Sequence, residues 1–159
     1  MNILMVCLGN ICRSPLAEGI MQAKIDSRGL DWQVDSAGTG AWHIGEAPDP
    51  RSRQIARQEG LSIDHQRARQ FTPADFDHFD LILTMDRGNF QNVLRLANND
   101  QQREKVRLIL EMANPRQDAD VPDPYWDDNG FRRVYDLLDD ACDRILNQLE
   151  TRVLDSSYE

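Results

Sequence analysis

Only three of the 159 residues are cysteine. An odd, small count excludes a disulfide framework and makes a reducing, cytoplasmic setting the expectation. Basic residues are also in deficit: 18 Lys and Arg face 27 Asp and Glu, for a net charge of -9. That balance argues against nucleic acid or an anionic membrane as partner, because both require a basic footprint. No run of about 18 apolar residues is present to span a bilayer. The opening residues 1–10 lack the basic n-region and small-residue cleavage site of a secretory signal. Repeats, low-complexity tracts and linkers are missing too, so residues 1–159 are read as a single domain, a monomer with a flexible tail over its last few residues. What remains is 40% hydrophobic, enough for a genuine core.

Periodicity predicts alternating strands and helices. Asn2 to Val6 is a short apolar run ending at Cys7, as expected of a buried parallel strand. Ser14 and Pro15 then suit the cap and first position of a helix, with Glu18 near its positive end and Gly29 closing it. A second strand is expected over Trp32 to Ala37, followed by the turn Gly38-Thr39-Gly40, and a helix over Pro50 to Glu59. Leu81 to Met85 and Val106 to Leu110 read as the third and fourth strands, with a helix over Asp86 to Leu96 between them. The connection from Ala113 to Gly130 is rich in Pro, Asp and Asn, and unstructured stretches of that length in compact domains are usually functional. A last helix carries Val134, Leu138, Ala141, Cys142, Ile145 and Leu149 on one stripe. This order implies an α/β fold, a parallel sheet with helices on both faces. Ligands in such sheets sit at the carboxyl ends of the strands, where Cys7 falls.

The chemistry is concentrated in Cys7-Leu8-Gly9-Asn10-Ile11-Cys12-Arg13-Ser14. A five-residue gap between Cys and Arg, wrapped into a helix N-terminus, points several backbone N–H groups at one spot and makes an anion site. Arg13 adds a planar fork suited to two oxygens of a phosphate. The same field favours thiolate over thiol at Cys7, and Ser14 can donate to that sulfur. Gly9 and Asn10 tolerate the left-handed backbone that a tightly curled loop needs. A nucleotide-binding Gly-Lys-Ser/Thr is absent, and Gly38-x-Gly40 is not completed at His43 as a dinucleotide fingerprint requires. His43, His65 and His78 are scattered, and Cys7 and Cys12 lack zinc-site spacing, so no metal and no cofactor are expected.

The loop resembles the signature of the low-molecular-weight protein tyrosine phosphatases. Asp35-Ser36-Ala37-Gly38-Thr39, Thr84-Met85-Asp86 and Asp123-Pro124-Tyr125 extend the likeness in the family's order. The resemblance implies a three-layer fold with a four-stranded parallel sheet. It also implies metal-free hydrolysis of phosphotyrosine through a phosphocysteine. Cys7 then matches the nucleophile, Arg13 the phosphate-binding arginine and Asp123 the general acid, while Leu8, Gly9, Asn10, Ile11, Cys12 and Ser14 line the phosphate. Asn10, Ser14 and Ser36 match residues that support the loop. Trp42, Tyr125 and Trp126 match aromatic walls that would favour a phenyl ring, although many relatives have Tyr where Trp126 stands. Relatives often carry a structural His where this chain has Gln66, and His65 receives no role. Cys12 could close a reversible disulfide with Cys7. The implied partners are tyrosine-phosphorylated proteins and a cognate tyrosine kinase.

Two rivals share the fold. A thiol-dependent arsenate reductase needs relay cysteines, and none lies in Asp86 to Val106. A protein-arginine phosphatase tends to carry a small polar residue where this chain has Ile11.

Overall fold

The computed structural model describes residues 1–157. Six consecutive residues, Asn2–Cys7, form β1, and all but the first are buried. The chain then runs α1 (Arg13–Ser27), β2 (Gln33–Gly38), α2 (Pro50–Gln58), α3 (Asp75–His78), β3 (Leu81–Thr84) and α4 (Arg87–Arg95). It finishes with α5 (Asp100–Glu104), β4 (Val106–Leu108), α6 (Ile109–Ala113) and α7 (Gly130–Ser157). Strand order is β2-β1-β3-β4 and every pairing is parallel. No described helix is long and apolar enough to cross a membrane.

Successive side chains of a strand face opposite sides, and β1 feeds two cores in turn. Ile3, Met5 and Cys7 pack with Leu16, Ile20 and Met21 of α1 and Leu138, Cys142 and Ile145 of α7. Leu4 and Val6 face the other way, onto Phe71, Phe76 and Val93. Both faces of β1 are thus covered, which is why its sequence is continuously apolar rather than alternating. The resulting architecture is the expected three layers.

Three local expectations are revised. Ser14 does not cap α1: the helix begins at Arg13 and its cap position is Cys12, whose side chain makes no capping bond. Ser14 instead turns its hydroxyl to the Cys7 sulfur, and Pro15 is the third helical residue, still among those whose N–H would have no intrahelical partner. Glu18 lies beyond the first turn and faces β2, where Ser36 donates to it. The fourth strand stops at Leu108, because the continuously apolar Ile109 and Leu110 open α6. Helix α7 continues through Ser157, and the tail expected over the last few residues falls in part on Tyr158 and Glu159, outside the described residues.

Where β1 and β2 end together, Cys7 pairs with Gly38. A Cβ on Gly38 would lie 2.8 Å from Leu8 O and 3.1 Å from both Gly9 C and Asn10 N. Backbone atoms cannot step aside cheaply, so only glycine lets the loop after β1 rest on β2. Gly38→Ala is expected to destabilise the protein by about 1–3 kcal/mol, an overpacking cost, measured by urea unfolding.

Candidate functional site

From Cys7, at the carboxyl edge of the sheet, the chain curls through residues 8–12 into α1. Neighbouring segments grip the curl from outside by its carbonyls. Thr39 N and Gly40 N donate to Cys7 O and Leu8 O, each at 2.9 Å. Asp49 N donates to Ile11 O at 2.8 Å, and Ser52 Oγ to Cys12 O at 3.2 Å. In a trans peptide the N–H points opposite to its carbonyl. The N–H groups of Leu8, Gly9, Cys12 and Arg13 therefore face away from these tethers, into the curl. Asn10 N donates to Cys7 Sγ at 3.3 Å. With the positive end of α1 behind them, these donors form a cradle for an anion.

Asn10 holds the curl shut. Its φ of 58° is the one positive value at a non-glycine residue among the described ones. Its side chain compensates by bonding in three directions. Nδ2 donates to Ser14 Oγ at 2.8 Å and to Ser36 Oγ at 3.0 Å, while Oδ1 accepts from Arg69 N at 3.0 Å. Ser14 Oγ lies 3.0 Å from Cys7 Sγ.

Arg13 projects into the same cleft with its side chain only 3% exposed. Nη1 donates to Asp86 Oδ2 at 2.7 Å and to Val121 O at 3.0 Å. Nη2 lies 3.8 Å from Asp123 Oδ2. Burial works against the guanidinium charge, but the Cys7 sulfur and the bond and charge of Asp86 outweigh it, raising Arg13 above its ordinary value. Asp86 has a second task, accepting from Asn89 N at 2.8 Å to cap α4. Asp123 Oδ1 accepts from Tyr125 N at 3.1 Å, a short turn that joins the carboxylate to the aromatic wall. Cys12 is pushed far up, by burial first and then by the charges of Asp49, Cys7 and Asp123, so it stays a thiol.

The cleft holds about 260 Å³ and is lined by Cys7, Leu8, Gly9, Ile11, Cys12, Arg13, Trp42, His43, Asp123, Tyr125 and Trp126. Trp42 and Trp126 stand at its mouth, 73% and 91% exposed. Tyr125 and Trp126 meet edge to face at 4.8 Å. The Trp42 ring occupies the place of a missing side chain, since a Cβ on Gly40 would lie 2.0 Å from it.

Ten of the expected residues thus share one cleft, whereas Asn10, Ser14 and Ser36 are buried behind the loop. Sequence reasoning gave no role to Asp86 or His43. Asp86 belongs to the Thr84-Met85-Asp86 motif at the carboxyl end of β3, but its bond to Arg13 exists only because β1 and β3 are neighbours. His43 had no signal; it packs on Gly9 and contacts Glu46. His65 is exposed, and Gln66 is buried with Nε2 on Pro15 O at 3.1 Å and Oε1 unpartnered. Among the described residues no three His, Cys, Asp or Glu side chains cluster as a metal site.

A family model described as low molecular weight phosphotyrosine protein phosphatase matches residues 2–154. The chain belongs to this family. A Synechocystis sp. protein that carries a low molecular weight protein-tyrosine-phosphatase name is 47% identical over 152 residues, covering 94% of this chain and 96% of the relative. The crystal structure of a protein tyrosine phosphatase from Entamoeba histolytica, with Hepes in its active site, superposes with a TM-score of 0.88 at 37% identity. That match covers 95% of this chain and 97% of the other. A Drosophila arginine phosphatase superposes with a TM-score of 0.87 at 33% identity, covering 94% and 98%.

In this family member the loop's support includes a carboxyl group out of its ordinary range. Burial pushes Glu18 up to about 7 from 4.5, against the opposing effect of the Ser36 bond. The folded state therefore holds the Glu18 proton more tightly than the unfolded chain does. The stability this contributes is complete below 4.5 and is lost as pH rises through about 7. Glu18→Gln has no such proton to lose. Its stability relative to the wild type is expected to rise across that window and then level off, as read by urea unfolding at a series of pH values.

Proposed function

We propose that this phosphatase hydrolyses phosphotyrosine in proteins by two displacements on phosphorus, with Cys7 as nucleophile and without a metal. The observation that carries this reading is the convergence of Cys7, Arg13 and Asp123 on one aromatic-walled cleft above a ring of backbone donors. The phosphoryl oxygens would lie in the cradle with the Arg13 fork beside them. As the Cys7 thiolate forms its bond to phosphorus, the bond to the phenol oxygen breaks, and protonated Asp123 gives its proton to the departing phenolate. A water then attacks the phosphocysteine and Asp123 takes its proton. The sulfur leaves as thiolate and inorganic phosphate is released. Backbone donors suit this chemistry because they are already aimed and need no reorganisation as charge moves onto the equatorial oxygens.

Trp42, Tyr125 and Trp126 support a phenyl ring as the group at the mouth, long enough to carry phosphate down to Cys7 where phosphoserine would fall short. Tyrosine-phosphorylated proteins are accordingly the substrates we infer, products of a tyrosine kinase in the same, cytoplasmic compartment. Cys7→Ser should reduce hydrolysis of an aryl phosphate, assayed in chelator, to background. Asp123→Asn should lower kcat on phosphotyrosine by about 10²–10⁴-fold but act much less on esters of strongly acidic phenols, whose leaving groups need no proton. Equal losses on both ester classes would remove Asp123 from the acid's role.

Similarity to an arginine phosphatase gives the second reading its specific support, because overall fold does not separate the two substrates. Ile11 argues for the aromatic one: buried in the loop, it packs with Cys12, Ala68, Phe131 and Tyr125 and presents hydrocarbon where a guanidinium would want polar contacts. Ile11→Thr is expected to raise the ratio of phosphoarginine to phosphotyrosine turnover, compared as kcat/KM on matched peptides. Wild type already preferring phosphoarginine would exchange the two readings.

A further inference from the structure

Behind the cradle, a chain of hydrogen bonds leads from the Cys7 sulfur to a carboxyl group that no step above uses. Ser36 Oγ donates to Glu18 Oε1 at 2.8 Å. Asn10 Nδ2 reaches Ser36 Oγ at 3.0 Å and Ser14 Oγ at 2.8 Å. Ser14 Oγ in turn lies 3.0 Å from Cys7 Sγ. Counting hydrogens gives the chain a direction. A carboxylate only accepts, so Ser36 spends its one hydrogen on Glu18 and meets Asn10 purely as an acceptor. The carboxamide of Asn10 cannot turn over without losing Arg69 N, which holds Oδ1. Its two hydrogens therefore go to the two serines, and Ser14, already accepting, has its own hydrogen left for the sulfur. Once Glu18 is protonated, it can donate into Ser36 Oγ, and Ser36 is no longer pinned.

We propose that Glu18 is a positioning residue for the nucleophile: as a carboxylate it pins Ser36, and through Asn10 and Ser14 it strengthens hydrogen-bond donation onto the Cys7 sulfur. The proposal rests on reading Cys7 as the nucleophile. Bonds in such a chain polarise one another, and the carboxylate is the only acceptor-only group at the far end. The charged groups facing Glu18 are Asp35 on β2 and Arg69. Arg69 is shared with Asp35 and Asp75. Asp26 and His65 border the same shallow surface cavity as Glu18, and the buried side chain there, Gln66, is neutral. Cys7 itself faces Arg13 and Cys12. With burial holding Glu18 at about 7, the pinning switches in the neutral range.

The sign of one measurement separates this relay from simple electrostatics. Removing a negative charge near a thiolate favours the thiolate through space, so Glu18→Gln should lower the pH at which Cys7 becomes reactive if charge alone matters. Loss of the relay raises it. The readout is the pH profile of Cys7 alkylation by iodoacetamide, followed by the mass of the Cys7 peptide, for wild type, Glu18→Gln, Ser36→Ala and the double variant. We expect the midpoint to move to higher pH in both single variants, with the double variant no further displaced than Ser36→Ala alone, because the two residues act in series. An unchanged or lowered midpoint in Glu18→Gln, or additive shifts in the double variant, would overturn the relay. Should Glu18→Gln not fold, the Ser36→Ala profile decides by the same criterion, since it cuts the chain and keeps the charge. Alkylation needs no turnover of phosphate, so a failed relay leaves the phosphatase reading standing, and a failed phosphatase assay leaves the alkylation result intact.

Discussion

The left-handed turn at Asn10 is the constraint on which the site depends. Without it the chain leaving β1 could not double back within five residues to start α1, and the backbone donors would not converge. Such a conformation is unfavourable for a residue with a side chain, and here three hydrogen bonds offset it. Each goes to a different place: Ser14 on α1, Ser36 on β2, and the backbone of Arg69 before α3. The loop is therefore not a flexible connection that a ligand orders. Its shape is a tertiary property, fixed once β2 and the segment at residue 69 have docked, and Gly38 permits the close approach that docking requires.

The opposite side of the cleft is built by a second convergence. Arg13 gathers Asp86 from the end of β3, Val121 O from the long connection after α6, and Asp123 two residues further on. Val121 N also donates to Met85 O at 2.9 Å, so the connection is tied at one point from both sides, next to the carboxylate that would handle the proton. A guanidinium buried so deeply would be costly alone. Shared among these partners, it is held in place before any phosphate arrives.

Much of this was legible in the sequence, and the parts that were not share a cause. The strand, loop and first helix could be read because they are contiguous and each obeys a local rule: apolar run, asparagine in the left-handed turn of the curl (Gly9 does not adopt a positive φ), proline in the first helical turn. The role of Asp123 was carried by likeness to a family. Local statistics favour serine as a cap, but the Ser14 hydroxyl is engaged by Asn10 Nδ2 and the Cys7 sulfur together. For Glu18 the helix dipole is likewise a local reason, and its partner Ser36 on a neighbouring strand is not. Asp86 and His43 depend on which strands are adjacent and on how the turn after β2 folds back, and neither is written in spacing along the chain.

Two of the three tryptophans, Trp42 and Trp126, are largely exposed at the cleft mouth, while Trp32 packs partly against the main core. Indole emission responds to its surroundings, so the protein's ultraviolet fluorescence is weighted towards the place where a guest would enter. Occupancy of the cleft can thus be followed optically in the unlabelled molecule, with Trp32 as an internal standard for the state of the fold.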